Sequence, residues 1–171
     1  MPSTDPSKTK SSIPKRKSAV LWIATGLGFG FSPFAPGTVG TLWGIPLAWA
    51  INQIPFVPAQ VAIIVILILV GIPLCTRAAA ELNMKDPGPV VWDEIVTVPI
   101  TFFLIPIELM SNPLVLIAGF VLHRLFDISK APPARQIERL PNGTGIMLDD
   151  VVAGIYSCLS LHLLTHFVLV G

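Results

Sequence analysis

Charged residues are scarce in this chain and absent from a long part of it. Asp, Glu, Lys and Arg make up 12% of the 171 residues, whereas an ordinary globular chain is about a quarter charged. None of these residue types lies between Ser18 and Thr76, and hydrophobic residues make up 53% of the chain. Such a long uncharged stretch excludes an ordinary water-soluble domain and indicates a membrane protein.

Cysteine is equally scarce. The chain has only Cys75 and Cys158, too few for a disulfide framework or a cysteine-rich zinc site. Neither belongs to a Cys-x-x-Cys motif. We therefore expect both to be small buried hydrophobic residues.

The N-terminus has a different composition from the rest of the chain. Residues 1–17 are rich in Ser and Pro and carry five cations against one Asp, a composition typical of disorder. No small-residue cleavage site follows a short apolar core, so we interpret this segment as an uncleaved tail that its charge holds in the cytoplasm. The domain division is then a disordered basic tail at 1–17 and a membrane-embedded domain at 18–171.

The apolar residues form four regions, which predict an all-α fold. We expect a small polytopic membrane protein with broken or re-entrant helices. A helix is predicted from Thr38 to about Asn52, because Pro36 and Gly37 form a start signal. The apolar core Val61–Val70 is the clearest membrane span. The four regions are 18–54, 56–74, 95–122 and 151–171.

Eight of the ten carboxylates lie in two short stretches, 81–94 and 127–150. Charges kept beside lipid are usually functional, so we predict two acidic loops that form one site on one membrane face. The region 95–122 between them must then enter the membrane and return. With about 14 residues, or about 21 Å, for each arm, it predicts a tight helical hairpin that turns at 108–113. Flanking basic residues favour the cytoplasmic face.

The first acidic stretch places Asp86 before two prolines and the pair Asp93-Glu94 at the start of the next predicted helix. These carboxylates are candidate metal ligands. The structural alternative is that the pair complements the helix dipole, since acids are favourable in a first turn.

The second acidic stretch puts charges of both signs on one helical face. His123, Asp127 and Lys130 have the spacing i, i+4 and i+7, and Arg124 adjoins them. An acid beside two cations suits a metal-bound phosphate, because the acid holds the metal and the cations hold the anion. The alternative is a ladder of salt bridges on a solvated face.

Asp149 and Asp150 lead into the last apolar region. Adjacent residues on a helix point about 100° apart, so we expect one to bind metal and the other to orient a water or a cation. Two acids at the edge of a bilayer are costly unless a cation is bound, and Mg²⁺ is a natural candidate because it prefers oxygen ligands. The alternative is a solvated acidic face.

A further candidate is the backbone around Pro36-Gly37-Thr38. If a helix begins there, the N–H groups of Gly37 and Thr38 are available to bind a phosphate. The alternative is a simple re-entrant turn.

Three sequence blocks occur in a specific order. They are Ser-Pro-Phe-Ala-Pro-Gly-Thr-Val-Gly-Thr-Leu at 32–42, Val-Val-Trp-Asp-Glu at 90–94 with Asp86-Pro87 before it, and Arg-Leu-Phe-Asp-Ile-Ser-Lys at 124–130 followed by Gly-Thr-Gly-Ile-Met-Leu-Asp-Asp-Val-Val-Ala-Gly at 143–154. In this order and spacing they resemble the phosphatidylglycerophosphatase A family over nearly all of the chain except the basic tail.

The resemblance implies a predominantly helical, Mg²⁺-dependent lipid phosphatase of the bacterial inner membrane, which converts phosphatidylglycerophosphate to phosphatidylglycerol and phosphate. It implies a basic pair and a set of acidic site residues, which are Arg124, Lys130, Asp86, Asp93, Glu94, Asp127, Asp149 and Asp150. Two positions depart from the family pattern, His123 and the segment 131–133. Neither change removes a charged group, although the segment bears on how the lipid glycerol is positioned.

The motifs of cysteinyl-phosphate, aspartyl-phosphate and histidine-based phosphatases are absent. What remains is a carboxylate-held metal that polarises the phosphoryl group and activates water. We expect Arg124 and Lys130 to clamp the phosphate and one spare acid to act as general base. The expected metal ligands or supporting acids are Asp93 or Glu94, Asp127, and Asp149 or Asp150.

The alternative class is a small membrane transporter or channel subunit, because acids near a membrane often mark ion pathways. Against it, the predicted spans contain only Glu108, whereas transporters tend to bind near the midplane of the bilayer. A CDP-alcohol phosphotransferase also binds metal through aspartates, but its Asp-Gly-x-x-Ala-Arg pattern is missing. Phosphate release that EDTA abolishes distinguishes the phosphatase from the transporter.

Overall fold

A computed structural model describes residues 18–169, with side chains to residue 167. The predicted disordered tail at 1–17 lies outside these residues. Within them the chain forms helices and no strand, as predicted for an all-α fold. The elements are α1 (Ala19–Ala24), a 3₁₀ turn (Phe29–Phe31), α2 (Pro36–Asn52), α3 (Val57–Leu82), α4 (Trp92–Thr101), α5 (Ile107–Met110), α6 (Pro113–Ser129), α7 (Ala134–Ile137) and α8 (Gly143–Leu169).

Proline and left-handed residues set the ends of the early helices. Helix α2 begins at Pro36, two residues before the predicted start, since proline suits the first position of a helix. Ala35 precedes it with a φ of 43°. Helix α3 extends well beyond the predicted core Val61–Val70 and ends at Asn83, which is also left-handed. Asparagine tolerates this conformation better than most residues.

Within the described residues, two helices are long and apolar enough to cross a membrane, α3 and the part of α8 at Gly143–Phe167. They contact each other, and the N–H of Gly143 donates to the Thr76 hydroxyl at 2.9 Å. The start of α8 therefore lies beside the last turns of α3.

The region 95–122 breaks into separate helices, as predicted, and α4 contacts α6. Glu108 lies in the short helix α5 rather than in a simple turn. Asn112 caps α6, because its side-chain oxygen accepts from the N–H of Leu114 at 2.9 Å.

The acidic residues lie mostly in helices, which corrects the prediction of two acidic loops. Asp93 and Glu94 are in the first turn of α4, Asp127 is near the end of α6, and Asp149 and Asp150 belong to α8, which begins at Gly143 instead of near residue 151. The helices extend into the acidic stretches because these residues pack against protein: Asp93, Asp149 and Asp150 are buried.

Helix α4 is central, since it packs against α2 on one side and α8 on the other. Glycines on α2 allow close packing. A Cβ atom on Gly40 would lie 2.8 Å from Val91 Cβ, and one on Gly44 would lie 2.5 Å from Val98 Cβ, so neither position has room for a side chain. The close contact with α2 fixes where the first turn of α4 lies.

Candidate active site

A cavity of about 310 Å³ opens at the end of the molecule where α4 and α8 begin and α6 ends. Its lining includes seven acidic and three basic side chains, a formal net charge of −4. The acids are Asp86, Asp93, Glu94, Asp127, Glu138, Asp149 and Asp150, and the bases are Lys85, Arg124 and Lys130. The two acidic stretches therefore meet in one place.

The cavity brings together all of the site residues predicted from the sequence except Thr38. Gly37 lines it, and in residues 18–169 its N–H donates no hydrogen bond. The Thr38 N–H instead donates to the carbonyl of Ala35 at 2.9 Å, which closes the first turn of α2. The prediction that Thr38 offers a free backbone donor is therefore wrong, because the turn already uses that donor.

Three carboxylates converge at the buried end of the cavity. Asp93, Glu94 and Asp150 each offer one oxygen, and these atoms all lie within 4.8 Å of one another. Asp93 is 8% exposed and Asp150 is 3% exposed. Asp93 Oδ1, Glu94 Oε2 and Asp150 Oδ2 are buried and accept no hydrogen bond from the described chain. Leaving buried polar atoms unpaired is costly, so this triad has the properties of a site for a cation.

The electrostatics of α4 reflect this crowding. Burial, together with the nearby carboxylate of Asp150, raises the pKa of Glu94 to about 8. Burial also raises the pKa of Asp93 well above its ordinary value, and Glu94 adds to this effect. Burial and like charges both disfavour the ionised form, and a bound cation would reverse that preference.

Arg124 and Lys130 line the cavity beside the triad and are paired with acids. Arg124 Nη1 donates to Asp127 Oδ2 at 2.5 Å and lies 3.8 Å from Glu94 Oε1. Lys130 Nζ contacts Asp149 Oδ2 and lies 3.4 Å from Asp127 Oδ1. Asp127 thus holds both cations at once, and Asp149 pairs with Lys130 while Asp150 belongs to the triad.

The position of Lys130 explains its charge state. Burial alone would lower the pKa of Lys130, but the carboxylates of Asp150 and Asp149 outweigh that effect and raise it above its ordinary value. Lys130 ends α6 in the left-handed conformation, with a φ of 48°, and this turn directs it toward α8. The lysine therefore carries its full charge beside the triad.

His123 does not join this group. The i, i+4 spacing places it near Asp127, but its ring is fully buried and Nδ1 lies 2.9 Å from the hydroxyl of Thr101 on α4. His123 has the predicted spacing from Asp127 on α6, but its ring packs on α4 and does not line the cavity.

Three polar residues of the cavity were missed from the sequence, Lys85, Glu138 and Asn142. The sequence indicated two of them only by their neighbours, since Lys85 adjoins Asp86 and Asn142 directly precedes the Gly-Thr-Gly block. The segment 131–133 does not line the cavity. Its Pro132 carbonyl instead accepts a hydrogen bond from the Tyr156 hydroxyl at 2.6 Å.

Comparisons with known proteins agree with the sequence blocks. A family model described as Phosphatidylglycerophosphatase A matches residues 22–165. The chain is 37% identical over 147 residues to phosphatidylglycerophosphatase A of Escherichia coli, with 84% of this chain and 82% of the relative covered. It is 37% identical over 148 residues to the protein of that name in Haemophilus influenzae, covering 86% and 89%.

A third relative has a different name. The chain is 39% identical over 140 residues to a putative phosphatidylinositol-3-phosphatase of Bacteroides thetaiotaomicron, covering 79% of this chain and 86% of the relative. No solved structure matches the chain significantly. The family match spans the four helices that build the cavity, α2, α4, α6 and α8, and the chain is therefore a member of the phosphatidylglycerophosphatase A family.

Proposed function

We propose that this chain hydrolyses phosphatidylglycerophosphate to phosphatidylglycerol and inorganic phosphate, with a divalent cation held by Asp93, Glu94 and Asp150. One observation carries the proposal: three carboxylates, each with a buried and unpaired oxygen, converge beside two cations in a single cavity. Membership of the family supports the reaction and its place in phospholipid biosynthesis.

The donor set fits Mg²⁺. The triad offers only carboxylate oxygens, and no His or Cys of the described chain lines the cavity. Hard oxygen donors suit Mg²⁺, whereas zinc sites in proteins usually include nitrogen or sulfur. Asp93, Glu94 and Asp150 would hold the cation, and when bound it would supply Lewis-acid polarisation of the phosphoryl oxygens and lower the pKa of a bound water.

The remaining charged residues bind and orient the substrate. Arg124 and Lys130 bind the non-bridging oxygens of the phosphoryl group, and both lie beside the triad. Asp127 positions both cations through its two carboxylate oxygens, and Asp149 positions Lys130. The unused N–H of Gly37, at the start of α2, adds a backbone donor for the anion.

Asp86 is the predicted metal ligand that lies outside the triad. It occupies the loop between α3 and α4 at the exposed mouth of the cavity, and it forms no ion pair within the described chain. We assign it the role of final proton acceptor, which takes up through an intervening water the proton that the attacking water releases, because a proton at the mouth passes readily to solvent. This differs from the metal role predicted from the sequence.

The membrane arrangement follows from α3 and α8. We infer that both cross the bilayer and that the chain is polytopic, because the cavity lies where α3 ends and α8 begins. The site then faces one membrane surface, and the basic residues near it favour the cytoplasmic side of the bacterial inner membrane. The lipid enters from the bilayer with its phosphate directed into the cavity. The transporter alternative has no further observation in its favour.

The test is phosphate release by purified protein in detergent with saturating Mg²⁺. We expect Asp150→Asn and Asp127→Asn each to lose at least about 100-fold in rate, and EDTA to abolish activity. Glu108→Gln is the matched control, because this acid is exposed on α5 and does not line the cavity. Near-native rates in both aspartate variants contradict the proposal.

A further inference from the structure

The cavity has two zones with different exposure. Its floor is buried or partly buried and consists of the triad with Arg124 and Lys130. Its mouth is formed by two connecting segments, 83–91 and 138–142, which line the cavity with exposed side chains that include Lys85 and Asn142. A headgroup longer than a single phosphate must contact both zones.

The three cations of the cavity are not equivalent. Arg124 and Lys130 each lie within 4.0 Å of two carboxylates. Lys85 is exposed, and within residues 18–169 it forms no ion pair. Lys85 is thus the lining cation of the described chain whose charge is not already bound by an acid.

The substrate of the proposed function carries two phosphates separated by a glycerol unit. The terminal phosphate is the monoester that is hydrolysed, and the internal phosphate is the diester that joins the headgroup to diacylglycerol. When the monoester reaches Arg124 and Lys130 at the floor, the diester remains toward the mouth. The lining has a formal net charge of −4, which a divalent cation at the triad would reduce to −2, so a phosphodiester at the mouth is still repelled and needs a cation beside it.

We propose that Lys85 binds the internal phosphodiester and is a specificity-determining residue, favouring a lipid with two phosphates over a lipid whose only phosphate is the monoester. This inference rests on the proposed function. Because the side chain is exposed, its contribution is that of a solvated ion pair at a membrane surface. It acts on binding and leaves the chemical step unchanged.

The experiment compares phosphatidylglycerophosphate with phosphatidic acid of the same acyl chains, each in the same detergent and at low salt. In Lys85→Gln we expect KM for phosphatidylglycerophosphate to rise about three- to fivefold with kcat unchanged, and in Lys85→Glu about tenfold. For phosphatidic acid we expect the wild-type KM when it is a substrate, or the wild-type inhibition constant when it is a competing lipid. The difference between the two lipids shrinks in high salt because the pair is screened.

Two control variants are measured with both lipids. Lys85→Arg retains the charge and is expected to restore KM. Arg139→Gln removes an exposed cation that does not line the cavity. It therefore controls for a general loss of attraction to anionic lipid, and we expect KM for both lipids to stay at the wild-type value.

The outcomes separate this inference from the proposed function. A wild-type protein that releases no phosphate from phosphatidylglycerophosphate refutes the proposed function. If the wild type is active but Lys85→Gln changes KM for both lipids equally, or for neither, the role of Lys85 is overturned and the proposed function is not. A loss confined to kcat also overturns that role.

Discussion

Gly37 lies where α2 meets the charged residues of the cavity. A Cβ atom added there would lie 2.8 Å from Arg124 Nη1 and still closer to Glu94 Oε1. Both neighbours are the ends of flexible side chains, so the methyl group of Gly37→Ala displaces them and leaves the backbone in place. The substitution therefore perturbs the arrangement of charges and not the fold.

The size of the effect follows from these contacts. Ordinary van der Waals contact begins near 3.4 Å, so Glu94 and Arg124 must move by on the order of 1 Å, and a misplacement of about 1 Å in an active site costs about 100-fold in rate. That factor corresponds to about 2.7 kcal/mol in the activation free energy. Alanine favours a helix over glycine by up to about 1 kcal/mol, so thermal stability is expected to stay the same or rise.

The assay measures phosphate release and thermal unfolding of the same detergent preparations. Gly88→Ala is the matched control, because Gly88 also lines the cavity but an added Cβ would have no atom within 4 Å. We expect Gly37→Ala to be about 100-fold slower and to need more Mg²⁺, while Gly88→Ala behaves as wild type. If Gly37→Ala stays within twofold of wild type, the reasoning that Glu94 and Arg124 act from these positions is refuted.

Two further predictions concern charge. Because burial raises the pKa of Glu94 to about 8 from an ordinary 4.5, the folded metal-free protein holds a proton there that the unfolded chain has lost. Glu94 alone therefore lowers the free energy of unfolding between about pH 5 and pH 8 by up to about 1.4 kcal/mol per pH unit, and the raised pKa of Asp93 adds to the fall. Thermal unfolding measured in EDTA should show this fall in stability with rising pH. Adding Mg²⁺, or the variant Glu94→Gln, should make the fall smaller. A stability that rises over this pH range would contradict the prediction. Lys130→Met leaves the Asp149 carboxylate buried without its partner and is expected to lower the free energy of unfolding by about 3 kcal/mol. The double variant with Asp149→Asn should recover most of that stability without activity, and equal instability of the single and double variants would contradict the pairing.

Local signals in the sequence predicted much of the helical framework. Proline at the start of α2 and the uncharged stretch around α3 each act through neighbouring residues. The separation of Asp149 from Asp150 was also predictable, because helical geometry turns adjacent side chains apart. Which of the two meets Asp93 and Glu94 depends on the rotation of α8 against α4. That rotation comes from packing, and the local sequence does not specify it.

The site residues that the sequence assigned wrongly or missed also depend on packing between distant parts of the chain. The sequence suggested that the Thr38 N–H is available as a donor. The helix begins earlier, after the left-handed Ala35, and the carbonyl of Ala35 accepts a hydrogen bond from that N–H. His123 has the spacing of a site residue, yet the contact with Thr101 draws it into the core. Lys85 and Asn142 reach the cavity because two connecting segments come together in space, and no spacing rule along the chain connects residues that far apart.

Helix α2 contains no ionisable side chain, yet its glycines determine how near it comes to α4. A methyl group at Gly40 or Gly44 would push the two helices apart and carry Asp93 and Glu94 outward with α4. In a carboxylate site, a wider spacing of oxygens favours Ca²⁺, with ligand distances of about 2.3–2.6 Å, over Mg²⁺ at about 2.0–2.1 Å. If the triad binds a divalent cation as proposed, its choice between Mg²⁺ and Ca²⁺ would therefore depend partly on how closely α2 approaches α4.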